Sequence, residues 1–120
     1  MVTENTLMKF GLTKDENNLT LKEVFKDNIK LKKIHIDIYS ENPIISSSES
    51  FMLLLRVIEA NAMVSNDNSR IILKRDDKYK THLMNILHSK ITECYYKISD
   101  YYFEFILNVQ NTYYKITVLN

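Results

Sequence analysis

Hydrophobic and polar positions alternate most regularly in the last quarter of the chain, Cys94 to Leu119, CYYKISDYYFEFILNVQNTYYKITVL. Side chains of a strand point to opposite faces in turn, so pairing register decides which residues share a face. A two-residue turn at Ser99-Asp100 sets Ile98 against Tyr101, Tyr96 against Phe103 and Cys94 against Phe105. A second turn at Gln110-Asn111 sets Val109 against Thr112, Leu107 against Tyr114, Phe105 against Ile116 and Phe103 against Val118. Both turns put Phe103, Phe105 and Leu107 opposite apolar partners, and a one-residue slip at either would break that agreement. Ile91, Tyr95, Ile98, Tyr102, Phe105 and Val109 also fit helical spacing. The agreement of two registers, with Tyr, Phe, Ile, Val and Thr in abundance, favours a three-stranded antiparallel meander.

The pattern upstream is mixed. Leu7, Met8, Phe10 and Leu12 suffice to dock a short N-terminal segment that Gly11 stops, and Lys14 to Asn18 reads as a polar loop. Thr20 and Glu23 have capping-box spacing ahead of a short helix, Leu21 to Asp27, with Leu21, Val24 and Phe25 on one face. In Ile29 to Tyr39, Ile34, Ile36 and Ile38 alternate with polar residues, and the opposite parity of Ile29 and Leu31 implies a bulge or a start near Lys32-Lys33. Ser46 and Glu49 repeat the capping-box spacing, and a helix is expected from about Ser47 to Val64, its stripe Phe51, Leu54, Leu55, Ile58 and Ala62. Arg70 to Arg75 reads as a strand. Asp76 or Asp77 then caps an expected helix to about Lys90, with Leu83, Ile86, Leu87 and Ile91 inward. These elements predict a single α+β domain over residues 1–120, helices packed on an antiparallel sheet that ends in the meander.

Composition narrows the class. The 120 residues are 45% hydrophobic and 26% charged, as in an ordinary globular chain, and the net charge of +1 gives no overall bias toward nucleic acid or membrane. No apolar run is long enough to span a membrane, and Met1 to Leu12 lacks a signal-peptide layout, so an intracellular (cytoplasmic) protein with no membrane partner is expected. Ile, Lys, Asn and Tyr make up 47 residues while Ala, Gly and Pro make up four, a usage that points to A/T-rich codons and a low-GC genome, that of an AT-rich bacterium, a virus or phage, or a protist.

Few chemistries remain open. With Gly11 the only glycine, neither a Walker loop nor a dinucleotide fingerprint can be built, and no cofactor is expected. The single Cys94 excludes an internal disulfide and a cysteine zinc site, and its expected face is buried. His35, His82 and His88 share no metal-ligand spacing, so no metal site is assigned. Ser46, Ser47 and Ser48 lack a glycine elbow. Asp76 and Asp77 beside a histidine leave a small metal-dependent or His/Asp hydrolase as a distant alternative; no catalytic residue is assigned.

Two surfaces stand out instead. The outward parity of the meander carries Tyr95, Lys97, Tyr102, Ile106, Tyr113 and Lys115, and tyrosines on a solvent face suit protein contact. Residues 70–90 carry net +4 against −3 over 41–69, and Arg70, Lys74, Arg75, Lys78 and Lys80 form a basic cluster of the kind that engages phosphates. The leading expectation is a non-enzymatic interaction protein, of the phage or viral accessory kind, that binds a protein partner through the tyrosine face and forms a homo-oligomer. Nucleic-acid binding through the basic cluster is the alternative.

Overall fold

In the computed structural model the meander residues form three strands joined by tight turns. The structure describes residues 3–25, 32–40, 42–43, 53–65, 67, 69–75, 78–79 and 81–119. Along these the chain runs as helix α1 (Glu4–Phe10), strand β1 (Thr13–Lys14), a 3-10 turn (Glu16–Asn18), helix α2 (Leu19–Val24), then strands β2 (Lys32–Tyr39), β3 (Leu53–Val64), β4 (Arg70–Arg75) and β5 (His82–Leu87), a 3-10 turn (His88–Lys90), and strands β6 (Ile91–Ile98), β7 (Tyr102–Val109) and β8 (Thr112–Leu119). All eight strands belong to one antiparallel sheet of order β1-β6-β7-β8-β2-β3-β4-β5. The α+β class expected from the sequence is the fold observed.

That order forces the sheet to curl. β6 and β5 are six strand spacings apart, about 29 Å across a flat sheet at about 4.8 Å per spacing. Yet the end of β5 and the start of β6 are joined by three residues, a chain that reaches only about 14 Å. The two ends must therefore approach each other, and the sheet wraps into an open barrel with a seam between β5 and β6.

Its concave face holds the core. Ile34, Ile36 and Ile38 of β2, Ala60, Ala62 and Val64 of β3, Ile71 and Leu73 of β4, Ile86 of β5, Ile91 and Cys94 of β6, Phe105 and Leu107 of β7, and Ile116 and Val118 of β8 form one buried cluster. Leu21 of α2 and Phe25, its C-cap, join the same cluster, with the Phe25 and Phe105 ring centroids 6.2 Å apart. A six-residue helix is not stable by itself; burying these two side chains contributes roughly 1.5–3 kcal/mol each and holds it in place. Its N-terminus is fixed by Asp15, whose two carboxylate oxygens accept from the backbone N–H of Thr20 and of Leu21, both at 2.8 Å.

α1 lies on the other side of the sheet. Leu7 and Leu12 pack on Tyr95 and Ile106 of the convex face. Gly11 ends α1 in the left-handed region, φ 68°, and its N–H returns to Met8. β1 then pairs with β6, Thr13 opposite Tyr96, and carries the chain around the seam to the concave side.

The register of the second C-terminal hairpin is the one expected, from Val109 opposite Thr112 to Phe103 opposite Val118. The turn residues Gln110 and Asn111 both have positive φ, 52° and 67°, which matches the right-handed strand twist. The first hairpin is corrected by two residues: Ile98 lies opposite Phe103, Tyr96 opposite Phe105 and Cys94 opposite Leu107. The Ser99 hydroxyl accepts from the N–H of Tyr101 and Tyr102 and so closes a longer turn. A shift of two preserves parity, so every side chain keeps its expected face.

Two expected helices are strands. Leu53–Val64 is β3, and its Ala60, Ala62 and Val64 enter the apolar core at every second position where helical periodicity was expected. The sequence LLLRVIEANAMV satisfies both periods, and pairing to β2 on one side and β4 on the other decides for the strand. His82–Leu87 is β5, in which Ile86 is buried while Leu87, expected inward, is exposed. Ile29, Leu31, Ser46 to Phe51, Asp76 and Asp77, to which the sequence pattern assigns roles, lie outside the described residues.

Candidate functional site

The alternation that fills the concave face presents the other parity of β6, β7 and β8 outward, and pairing sets it in rows. Tyr95, Ile106, Lys115 and Asp37 run across one row of β6, β7, β8 and β2. Glu93, Asn108, Tyr113 and Tyr39 run across the next. The six residues expected at a protein contact are thus on one face, but not equally open.

Tyr95 and Ile106 lie buried beneath Leu7 and Leu12, where the N-terminal segment covers them. The Tyr95 hydroxyl donates to Glu93 Oε2 at 3.0 Å. Burial first, and then this bond to the Glu93 carboxylate, pushes its phenol up to about 12, so it stays protonated. Lys97 passes close to Gly11, its Cε 3.8 Å from where a β-carbon would sit. Lys115 forms an ion pair with Glu104 at 3.7 Å. The Tyr113 hydroxyl accepts from Asn108 Nδ2 at 3.4 Å. Tyr102, Tyr113, Lys97 and Lys115 remain half-buried, and the face is therefore divided between a covered centre and open flanks.

Besides Met8, Leu19 and Tyr79, which are exposed elsewhere, three exposed apolar groups lie at one end of the meander, around the β6–β7 turn. Ile98 at the end of β6 is 58% exposed, Tyr101 in the turn 81%, and Leu119, which pairs with Tyr102, 41%. Phe10, next to Gly11 on the segment that passes Lys97, is also exposed. A cluster of this kind on a small domain is a mark of a contact surface.

The basic cluster lies elsewhere. On β4, Ile71 and Leu73 point inward, which turns Arg70, Ile72 and Lys74 out together. With Met63, Val64, Ser65 and Asp67 they line an open hollow of about 350 Å³. Arg75 and Lys78 are exposed beyond the end of the hollow, and Lys80 lies outside the described residues. Asp67 organises the β3–β4 loop: its Oδ1 accepts from the hydroxyls of Ser65 and Ser69, both at 2.7 Å, and from the Ser69 N–H at 3.0 Å. These bonds, the one from Ser65 foremost, hold its carboxyl well below the usual carboxylate range.

The histidines are dispersed: His35 outward on β2, His82 on β5 with Nε2 2.8 Å from Asn85 Oδ1, and His88 buried in the β5–β6 turn. Among the described residues no group of three or more His, Cys, Asp or Glu side chains could hold a metal ion. Cys94 is a buried free thiol, raised above its ordinary value by burial first and then by the Asp15 carboxylate beside it. No helix among the described residues is long and apolar enough to cross a membrane.

Sequence reasoning missed three groups. Asp15 sat in a stretch read as polar loop, and only its distance from Leu21 could have hinted at a cap. Ile98, Tyr101 and Leu119 fall at strand ends, where alternation no longer decides burial. Met63 and Ile72 required the β3–β4 pairing, which a helical reading of residues 47–64 removes.

The class defined by these features is an α+β domain whose antiparallel sheet closes around one short helix and carries a second on its outside. No protein-family model, curated protein or solved structure matches the chain.

Proposed function

We propose that this is a non-enzymatic interaction protein and that its contact surface is the β6–β7 end of the meander, continuing onto the open flank of the convex face. The observation that carries this reading is that Tyr101, Tyr102 and Leu119 are exposed or half-exposed at a single end of the sheet, with Ile98 exposed at the same end on the opposite parity. Tyrosine offers large contact area at small entropic cost, and apolar groups left in water gain roughly 25 cal/mol for each Å² covered. The first partner is a second copy of the chain. A net charge of +1 sets no long-range repulsion between copies, and a patch at one end suits a two-fold contact that closes on itself. Residue usage favouring A/T-rich codons is in keeping with an intracellular phage or viral accessory protein that also occupies a host component. Tyr95 and Ile106 act beneath this surface by fixing α1, while Tyr102, Tyr113, Lys97 and Lys115 border it.

Sedimentation of the wild type over a hundredfold concentration range tests the reading against a Tyr101→Ser, Leu119→Ser double variant with unchanged circular dichroism. The wild type is expected to shift from monomer to dimer and the variant to stay monomeric. A wild type that remains monomeric throughout, or a variant that associates equally, overturns it.

A further inference from the structure

We propose that the hollow on the convex face of β3 and β4 binds a small organic anion, one acidic group on a short apolar body. Ile72 and Met63 lie opposite each other across the β3–β4 ladder and form an apolar floor. Arg70 and Lys74, two residues to either side of Ile72, bring a guanidinium and an ammonium to the same hollow. Neither cation has an ion-pair partner within 4 Å among the described residues, and the Arg70 Nε is buried without a hydrogen-bond acceptor. A buried, unpaired donor is destabilising, and an arriving oxyanion supplies the acceptor it lacks. Asp67, the acidic group of the lining, lies close enough to feel the Arg70 charge, but it forms no ion pair with Arg70 within 4 Å, and its Oδ1 takes three bonds from Ser65 and Ser69 that keep it in the loop.

This chemistry separates the ligand from its relatives. An apolar body without charge leaves Arg70 unanswered, and a bare anion leaves Ile72 and Met63 wet. A carboxylate and a phosphate monoester share the required features, and the volume of about 350 Å³ accepts a body of several carbons.

The test is a titration of the full chain, its methionine methyl groups labelled with carbon-13, with hexanoate, hexyl phosphate, hexanol and inorganic phosphate in turn. Met63 reports from the hollow, and Met8, exposed on α1, serves as the control. Either hexanoate or hexyl phosphate, whichever head group fits better, should shift the Met63 signal to saturation while Met8 stays still. Hexanol and inorganic phosphate should each bind at least about tenfold more weakly, the worth of one charged hydrogen bond or of a few buried methylenes. Lys74→Gln and Arg70→Gln should each weaken the better anion by about tenfold as well. The proposal is overturned if neither amphiphilic anion saturates Met63, if hexanol or phosphate binds as well, or if folded Lys74→Gln and Arg70→Gln variants bind unchanged.

Discussion

Asp15 and Cys94 meet twice at the seam of the sheet: the Asp15 N–H donates to the Cys94 carbonyl at 2.8 Å, and the Cys94 thiol donates to Asp15 Oδ2 at 3.5 Å. The same carboxylate caps α2. One buried side chain therefore ties the edge of β6 to the helix that fills the concave face, at the point where the chain passes from outside to inside.

Removing that carboxylate should unsettle both partners. Asp15→Ala strips a cap and leaves two N–H groups without acceptors, for an expected loss of about 2–3 kcal/mol. Asp15→Asn keeps one acceptor oxygen and should lose roughly half as much. Urea unfolding midpoints of the three proteins check this; equal midpoints would remove Asp15 from the account.

Cys94 should be inert. Burial and the neighbouring Asp15 charge both raise its thiol, so very little thiolate exists near neutral pH. A thiol reagent such as Ellman's should label the folded protein only at its rate of unfolding and the denatured protein at once. Rapid labelling of the folded chain would contradict the burial of β6.

His88 gives stability a pH dependence whose sign follows from its setting. Burial first, and the Lys22 charge second, lower its pKa from the ordinary value of 6.5. In the unfolded chain it takes up a proton at about 6.5, so just below that value the unfolded state holds more protons. The stability it contributes is complete above pH 6.5 and is lost as pH falls through the folded value. Unfolding free energies measured between pH 7.5 and 5 should decline toward acid, and His88→Gln should flatten the upper part of that decline. An identical slope in the variant would show that other groups set it.

The β7–β8 turn carries a stabilising substitution. Gln110 holds φ 52°, a conformation that asparagine tolerates better than glutamine. Gln110→Asn should raise stability by about 0.5 kcal/mol, read as a higher midpoint in thermal unfolding. A lower midpoint would mean that the glutamine side chain makes a contact of greater worth.

The C-terminal half of the sheet could be read from the chain because two tight turns and strict alternation agreed on one face for Phe103, Phe105 and Leu107. The N-terminal half of the sheet was harder. In Leu53–Val64 apolar residues occur at both two- and four-residue intervals, and the choice rests on neighbours, β2 and β4, that are remote in sequence. The candidate surfaces divide in the same way. Alternation placed Tyr95, Tyr102 and Tyr113 on the outer face, but α1 covers Tyr95 through Leu7 and Leu12, a long-range contact that no local pattern specifies. Arg70 and Lys74 were visible as basic residues on a strand; the hollow between them exists only because Met63 faces Ile72 across the ladder.

The proposed contact surface is tested most directly by thiol cross-linking, for which the buried Cys94 leaves a silent background. Asp100→Cys places a thiol in the β6–β7 turn and leaves Tyr101 in place, and Lys90→Cys places one at the opposite end of β6 on another exposed site. Under mild oxidation at micromolar concentration the Asp100→Cys protein should form a covalent dimer much faster than the Lys90→Cys protein. Equal rates at the two sites, or no cross-link at Asp100→Cys, would contradict a self-contact at this end of the sheet.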